Sequence, residues 1–419
     1  MAAALGVLVS CGSVKSGEEV VAASRDSKVV VAYVTSWSEV MPDPQYMTHI
    51  NYAFGHVNES FNGVKIDNEE RLRQIVDLRK QKPELKVLLS IGGWGSGRFS
   101  EMAANDEYRR AFVADCARVV KEFALDGIDI DWEYPTSSMA NISSSPDDTE
   151  NFTLLMQDIR AAIGNEKELT LATVASARYI DFKAILPSVD FVNIMAYDMA
   201  SAPKHHSALY PSGHSGDITS DGAVTAHLKA GVPPSKLVMG MPFYGRGGDG
   251  YPSFQDYNKV GNTDTQYTEK WDEVAQVPYL ADKNDTLVFG FENPRSLAIK
   301  CQYILDKDLL GGMYWDYSGD NEQGDLRRTV AENLLGKPHK AKVLVLTERG
   351  GQHGGFTDAG LRWLAAEGVK GNFSITEINN ARNITEAYLS QFSLVIQLDF
   401  PPYTWPKEAE DAFVKYIEE

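Results

Sequence analysis

The sequence predicts an α/β protein, in which a (β/α)8 or TIM barrel is followed by a partial doubly wound α/β domain. Three observations predict this fold class. Eight short apolar segments recur between residues 28 and 335, and helical segments separate several of them. A second alternation of strands and helices begins at about residue 342. Such alternation is typical of parallel sheets, and eight strands in one unit favour a closed barrel.

The barrel strands are predicted from short apolar runs, and the helices from apolar residues spaced three and four positions apart. The eight predicted strands are Lys28 to Val34, His49 to Phe54, Lys86 to Ile91, Leu125 to Asp131, Leu169 to Val174, Val189 to Ala196, Leu237 to Pro242 and Gly311 to Trp315. The four clearest helices are Glu69 to Lys80, Asp106 to Phe123, Thr149 to Ile163 and Pro294 to Lys307. In such barrels the chemistry lies at the carboxyl ends of the strands.

Length and charge narrow the classes of function. A chain of 419 residues with 43% hydrophobic and 23% charged residues is typical of a globular protein with two or three domains. The formal net charge of −18 argues against a nucleic-acid partner, because phosphate binding requires clustered Lys and Arg. A neutral substrate is easier to reconcile with this charge.

The N-terminus, residues 1–27, resembles the end of a secretory signal followed by a polar tether. Leu8 to Cys11 is similar to a bacterial lipobox, which would make Cys11 a lipidated membrane anchor; the alternative is a frayed terminus with an incidental cysteine. The expected location is therefore extracytoplasmic, as a cell-surface or periplasmic lipoprotein or a secreted protein. Cys116 and Cys301 lie in helix-like segments, so neither a disulfide framework nor a metal site is predicted.

One stretch, DGIDIDWEYP from Asp126 to Pro135, carries an unusual row of charges. Asp129, Asp131 and Glu133 occupy alternate positions, with apolar residues between them. On a β-strand this spacing places the three carboxylates in one row, about 6 to 7 Å apart, and neighbouring charges raise one another's pKa. Folding alone would hardly require such a row.

Aromatic and polar residues also follow other predicted strands. Taken singly, a tryptophan at a strand end is more often core than platform, and a glycine pair usually marks a turn. Together they predict a cleft that fits the apolar faces and hydroxyl edges of a sugar. The candidate substrate-binding residues are Tyr33, Phe54, Ser90, Trp94, Tyr134, Met195, Asp198, Tyr244, Arg246 and Trp315, and Tyr197 joins the catalytic candidates.

These motifs make residues 28–335 resemble family 18 glycoside hydrolases of the chitinase type. DGIDIDWEYP fits the family pattern DxxDxDxE, and SIGGW, MAYD and GGMYWDY support the match. The resemblance implies that Glu133 is the general acid and that Asp131 orients the acetamide of the substrate. It implies that Asp129 shares charge or a proton with Asp131, and that Asp126 and Gly127 are structural. Tyr197 would bond the acetamide carbonyl, Asp198 would contact the adjacent sugar, and Trp315 would lie under the subsite before the cut.

No second carboxylate is placed opposite the row, which leaves the acetamide of the substrate as the nucleophile. Family 18 is a known exception of this kind among glycosidases, so the inference follows the family. We expect a monomer, without cofactor or metal, that makes internal cuts in β-1,4-linked N-acetylglucosamine polymers with retention through an oxazolinium intermediate. An endo-β-N-acetylglucosaminidase acting on glycoprotein N-glycans remains an alternative. A non-catalytic glycan-binding protein is another, although lectin-like relatives typically lose the glutamate.

Many larger chitinases carry an α+β insertion between the seventh and eighth strands. Here only Gly247 to about Leu310 separates them, and much of that stretch, around Trp271 to Pro278 and Phe291 to Tyr303, resembles the ordinary approach to the last strand. The wall of the cleft is therefore expected to be reduced or absent. A shallower groove would favour internal cuts or branched glycans.

The C-terminal segment begins after a linker at residues 336–341. Strands are predicted at Lys342 to Thr347, Phe373 to Ile378 and Leu394 to Leu398, and helices at Asp358 to Glu367, Thr385 to Phe392 and Lys407 to Glu419. Residues 342–419 are similar to the start of ThuA-like (trehalose utilisation) domains, which have a flavodoxin- or glutamine-amidotransferase-like fold, and we expect a truncated copy. His353 is a possible site residue, although a solvated loop histidine is the more common case.

Overall fold

The computed structural model describes residues 28–248, 250–260, 266–336, 341–347, 354–370, 373–382, 384–390, 392–398 and 405–418. The predicted lipidation of Cys11, the tether, His353 and most of the predicted linker fall outside these residues. None of the described helices is long and apolar enough to cross a membrane. Cys116 and Cys301 are both buried and free.

The first unit contains fourteen strands among its described residues. In chain order they are β1 (Val29–Thr35), β2 (His49–Val57), β3 (Val64–Ile66), β4 (Lys86–Gly92), β5 (Gly127–Asp131), β6 (Glu168–Val174), β7 (Phe191–Met195), β8 (Leu237–Pro242), β9 (Tyr244–Gly247), β10 (Gln255–Asp256), β11 (Thr268–Asp272), β12 (Val277–Ala281), β13 (Leu287–Gly290) and β14 (Gly311–Trp315). Its helices are α1 (Glu69–Val76), α2 (Phe99–Ala104), α3 (Asp106–Glu122), α4 (Asp148–Ile163), α5 (Phe182–Ile185), α6 (Ser220–Lys229), α7 (Pro294–Asp306) and α8 (Asp325–Leu334).

Eight of these strands form a closed parallel barrel, which confirms the predicted architecture. The strands pair in the order β1, β2, β4, β5, β6, β7, β8 and β14, and β14 pairs with β1 to close the ring. β3 is an antiparallel addition to β2. Because strand residues alternate between two faces, one face of each strand packs on the helices and the other fills the barrel.

The main core lies between the strands and the surrounding helices. Ile128 and Ile130 on β5 belong to it together with Phe112 of α3 and Phe152 of α4. A smaller cluster fills the barrel interior and includes Val31, Tyr33, Phe54, Phe191, Val238 and Met313. Helix ends are satisfied locally; for example, Asn293 and Ser296 form a capping box at the start of α7.

The segment between β8 and β14 differs from the sequence prediction. Trp271 to Pro278, which was expected to be an ordinary approach to the last strand, instead contributes to β11 and β12. These strands belong to a five-stranded antiparallel sheet in the order β10, β9, β13, β12 and β11. The prediction failed because short strands paired across loops leave little periodic signal. This segment therefore folds as a sheet with a short 3-10 helix, Tyr257–Lys259, rather than as a plain approach to β14.

The C-terminal segment forms a second, three-stranded parallel sheet. Its strands are β15 (Ala341–Thr347), β16 (Phe373–Ile378) and β17 (Leu394–Leu398), in the order β16, β15, β17. The helices are α9 (Gly354–Lys370), α10 (Glu386–Leu389) and α11 (Lys407–Glu418). Side chains from alternate positions of β15 join two different clusters, one with Leu364 of α9 and the other with Leu389 and Ala412 of α10 and α11. Helices thus cover both faces of β15.

Candidate active site

The acidic row begins on β5 and ends just beyond it. Asp129 and Asp131 lie on the strand, whereas Glu133 follows two residues after its end, so the expectation that all three share one strand is wrong. The chain leaves the sheet there because β5 stops pairing with β6 at Ile130 and with β4 at Asp131. The exposed fraction rises from 0% at Asp129 to 4% at Asp131 and 9% at Glu133. The row therefore runs from the barrel interior outward.

Asp129 is surrounded by hydrogen-bond donors from four other strands. Its Oδ2 accepts from Ser90 Oγ at 2.7 Å and Tyr33 Oη at 2.9 Å. Its Oδ1 accepts from Thr170 Oγ1 at 2.6 Å and Asn193 Nδ2 at 3.4 Å. Burial raises the pKa of Asp129, and these hydrogen bonds oppose that rise because they favour the anion. Ser90 and Tyr33 thus both contact this buried aspartate.

Asp131 and Glu133 both favour the protonated form more than exposed carboxylates do. Burial, followed by the charges of Glu133 and Asp129, holds the pKa of Asp131 well above its usual range. Burial also raises the pKa of Glu133 to about 7, with a further contribution from the charge of Asp198, while interaction with the Tyr134 hydroxyl acts in the opposite direction. Asp131 Oδ1 is buried and has no hydrogen-bond partner among the described residues. Such an oxygen can accept a donor from a ligand.

A cleft of about 680 Å³ opens above this row. Every predicted substrate-binding residue except Ser90 lines it, together with Tyr197, Asp131 and Glu133, whereas Ser90 and Asp129 are fully buried. The lining also includes residues that the motifs did not indicate: Trp37, Met139, Ala172, Val174, Ala175, Met199, Ile218 and Phe254. The cleft thus combines carboxylates with aromatic surface, the combination that sugars require.

An aromatic platform lies on one side of the cleft, around Trp315. The Trp315 ring stacks on Phe54 with centroids 5.5 Å apart and an interplanar angle of 21°. Tyr33 lies 5.6 Å away and Trp37 lies 6.4 Å away, both tilted. Trp37 is 63% exposed, and the sequence analysis missed it because it follows β1 outside any motif. Its position after a barrel strand is the signal that could have identified it.

A second aromatic group lies beside Glu133. Trp94, from the loop after β4, meets the Tyr134 ring edge-on at 6.5 Å, and Tyr134 stacks on Tyr179 at 5.5 Å. Trp94 is 62% exposed. No ring contact joins this group to Trp315 among the described residues. The cleft therefore offers two separate aromatic surfaces, one around Trp315 and the other formed by Trp94 and Tyr134.

Asp198 is held by two basic side chains. Arg246 binds it with two parallel hydrogen bonds, Nε to Oδ1 at 2.7 Å and Nη2 to Oδ2 at 2.6 Å. His206 Nδ1 lies 3.4 Å from Oδ1, in a fully buried position that the sequence analysis also missed. Although burial raises it, the pKa of Asp198 ends well below its usual range because of Arg246 and His206. Asp198 therefore stays charged close to Glu133.

Tyr197 has a weakly engaged hydroxyl. Its oxygen makes a 3.8 Å contact with Met313 Sδ, and sulfur is a weak acceptor. Burial, together with the charges of Asp131 and Glu133, holds the pKa of Tyr197 well above its usual range. The phenol therefore remains protonated and can donate a hydrogen bond to a ligand.

Asp126 and Gly127 lie at the other end of β5, away from the cleft. Asp126 Oδ2 accepts from the guanidinium of Arg79 and from the backbone N–H of Val87 at 2.7 Å. A Cβ on Gly127 would lie 1.9 Å from the carbonyl oxygen of Glu168 on the neighbouring strand. These contacts tie Asp126 and Gly127 to the neighbouring strands.

The described residues contain no group of three side chains that could hold a metal ion.

The model of glycosyl hydrolases family 18 matches residues 29–320. The chain belongs to glycosyl hydrolases family 18. Chitotriosidase-1 of Mus musculus is 31% identical over 350 residues, which cover 70% of this chain and 74% of that protein. Chitinase A1 of Niallia circulans is 29% identical over 409 residues, which cover 72% of this chain and 58% of that protein.

Solved structures give the same family relationship. A family 18 N-acetylglucosaminidase from Paenibacillus barengoltzii matches with a TM-score of 0.68 and 32% identity, covering 73% of this chain and 99% of that chain. This chain matches less than two thirds of the length of Chitinase A1, whereas it matches nearly the whole of the Paenibacillus barengoltzii structure. The barrel is thus a family 18 glycoside hydrolase domain.

Proposed function

We propose that this family 18 hydrolase makes internal cuts in β-1,4-linked N-acetylglucosamine polymers, chitin or chito-oligosaccharides, with retention of anomeric configuration. One observation carries the proposal. Glu133, with a pKa of about 7, lines an aromatic cleft next to Asp131, whose buried Oδ1 has no hydrogen-bond partner in the part of the chain that the structure describes. A protonated acid and a free acceptor on one side of the sugar are what catalysis by the substrate's own acetamide requires.

The first step breaks the glycosidic bond. The Glu133 carboxyl donates its proton to the glycosidic oxygen, and the acetamide oxygen of the same sugar attacks the anomeric carbon. The acetamide nitrogen becomes positively charged in the oxazolinium ion, and Asp131 Oδ1 accepts its N–H. A positive charge beside Asp131 lowers the pKa of this residue, and the ionised carboxylate then stabilises the cation, because electrostatic interactions are strong in a buried site.

The second step restores the enzyme. Glu133, now ionised, accepts a proton from water as the water attacks the anomeric carbon and opens the oxazolinium ring. Because two inversions occur at that carbon, the product keeps the β configuration. Asp129, with its four donors, lies behind Asp131 and shares charge or a proton with it in this proposal.

The other cleft residues bind and orient the sugar in this proposal. Tyr197 donates to the acetamide carbonyl, Trp315 lies under the sugar before the cut, and Asp198 contacts the neighbouring sugar. Phe54 and Tyr33 support the ring of Trp315, and Met195, Tyr134 and Tyr244 line the cleft. The names of several relatives, chitinase or chitotriosidase, support chitin as the substrate class.

The direct test is a product time course with chitohexaose beside a high-mannose glycoprotein. Internal cuts in chitohexaose, giving dimers, trimers and tetramers early, are the expected result. Release of the high-mannose glycan with chitohexaose left intact would favour the endo-β-N-acetylglucosaminidase alternative. Binding of both without any cleavage would favour the glycan-binding alternative.

Several further assignments belong to the same proposal. We place the domain boundaries at residues 28–335 for the catalytic barrel and 342–419 for the second unit, and propose an extracytoplasmic, monomeric enzyme. The β16, β15, β17 order is that of the first three strands of flavodoxin-like sheets, which supports a partial doubly wound, ThuA-like domain. Anchoring through Cys11 would be tested by mass spectrometry of the membrane-extracted protein.

A further inference from the structure

A chain of hydrogen bonds outside the catalytic row joins the loop after β4 to strand β2. His56 Nδ1 lies 2.8 Å from Ser96 Oγ, and His56 Nε2 lies 2.9 Å from Asp67 Oδ2. His56 is on β2, Asp67 follows β3, and Ser96 is on the loop after β4. The His56 side chain is 28% exposed and that of Asp67 36%, so the chain lies at the rim of the barrel.

The loop that Ser96 belongs to makes a tight turn between two fixed points. At its start Gly93 N donates to the carbonyl oxygen of Asp131 at 2.9 Å, and a Cβ on Gly93 would lie 2.6 Å from the Phe54 ring. At its end Ser96 N donates to the Gly93 carbonyl at 2.9 Å, and its side chain meets His56. Trp94 lies between these points. Its backbone is therefore fixed by Asp131 on one side and by His56 on the other.

Trp94 depends on this backbone for its orientation. Its indole is 62% exposed, and its ring contact among the described residues is the edge of Tyr134. A mostly exposed ring gains little from packing, so the loop that carries it must set its direction. The His56 imidazole can engage both partners in either protonation state, since neutral histidine has one donor and one acceptor and the cation has two donors.

We propose that His56 is a positioning residue that fixes Trp94 as the second sugar platform of the cleft, separate from Trp315. The proposal rests on the proposed function, because it assumes an N-acetylglucosamine chain long enough to reach both platforms. His56 does not touch the reacting atoms. It acts through the turn that contains Ser96, so its loss affects binding of the sugar polymer more than the chemical step.

The test compares H56A with the unaltered full chain on chitohexaose. We expect KM to rise about three- to tenfold, the effect of one ordinary hydrogen bond, with kcat within about twofold. S96A breaks the same link with a smaller change and should match H56A. H56Q, which keeps one of the two hydrogen bonds, should recover part of the loss. H214A, at an exposed histidine that takes no part in these hydrogen bonds, is the matched control and should leave KM unchanged.

A double-mutant cycle with W94A decides whether His56 acts through the tryptophan. If it does, H56A adds no further rise in KM once Trp94 is absent. Additive effects of H56A and W94A would overturn the proposal, as would unchanged KM in both H56A and S96A. Hydrolysis of p-nitrophenyl acetate that S96A abolishes would also overturn it, because Ser96 would then be a nucleophile activated by His56.

Calorimetry separates failure of this inference from failure of the proposed function. Chitohexaose binding is measured in E133Q and in E133Q/H56A, so that no turnover is needed. Weaker binding in the double variant supports the positioning role of His56 even if the unaltered protein does not cleave chitohexaose. Equal binding contradicts it even if cleavage is normal.

Discussion

The hydroxyl of Tyr33, on β1, donates a 2.9 Å hydrogen bond to Oδ2 of Asp129, on β5, across the interior of the barrel. Together with Ser90 and Thr170, this donor opposes the rise in the pKa of Asp129 that burial causes. The Tyr33 hydroxyl therefore favours the ionised form of Asp129 at the base of the row. Tyr33 also links the aromatic platform to the carboxylates, because its ring contacts Trp315.

Y33F removes this hydroxyl and keeps the ring. The pKa of Asp129 should rise further, so less negative charge supports Asp131, and we expect kcat to fall about tenfold with KM within about twofold. Steady-state kinetics on chitohexaose measures both. Y303F, which removes a hydroxyl bonded to Asp221 on the outer helices, is the control. Equal effects of the two variants would show that the loss is not specific to Asp129.

E133Q tests the general acid. Glutamine keeps the shape of the side chain but cannot protonate the glycosidic oxygen, so kcat should fall by about 10² to 10⁴-fold. The fold should remain intact, as judged by an unchanged unfolding midpoint. E122Q, on the outer helix α3, is the control. A variant that retains more than a tenth of the activity would remove Glu133 from the acid role.

The pH dependence of kcat should show a basic limb near pH 7. Glu133 acts as an acid only when protonated, and its pKa is about 7, so activity is lost as pH rises through that value. D198N removes a negative charge that raises the pKa of Glu133, so the limb should move to lower pH. A limb that stays in place in D198N would contradict the assigned influence of Asp198.

A buried ion pair joins Lys300 on α7 to Glu292, which follows β13 of the five-stranded antiparallel sheet. Its removal allows a test of stability. Both side chains are fully buried, and Lys300 also donates to the Ser207 carbonyl at 2.5 Å. K300M leaves the carboxylate unpaired and should lower the free energy of unfolding by about 3 to 5 kcal/mol, measured with urea. K307M, at a half-exposed lysine on the same side of the barrel, should change it by less than about 1 kcal/mol.

The sequence predicted the barrel well because its signals are local. Each strand is a short apolar run. The predicted strand Leu237 to Pro242 matches the observed strand in full, and the ends of the other predicted strands lie within a few residues of the observed ends. The catalytic row was visible because alternate carboxylates are rare within such a run. These features need no knowledge of neighbouring strands.

Other features depend on register and loops, which the sequence does not reveal. Thr170 and Asn193 meet Asp129 because β6 and β7 are aligned with β5 in a particular register. Trp37 and His206 lie in loops without a periodic pattern. The antiparallel sheet was missed because its strands have two to five residues each, too few for a clear alternation.

In the proposed mechanism the substrate supplies the nucleophile through its 2-acetamido group. Its most direct test compares initial rates on chitohexaose and cellohexaose, which differ in that group, with the anomer of the first product followed by NMR. We expect cleavage of chitohexaose to β-anomeric products and no detectable cleavage of cellohexaose. Efficient cleavage of cellohexaose, or α-anomeric products from chitohexaose, would contradict it.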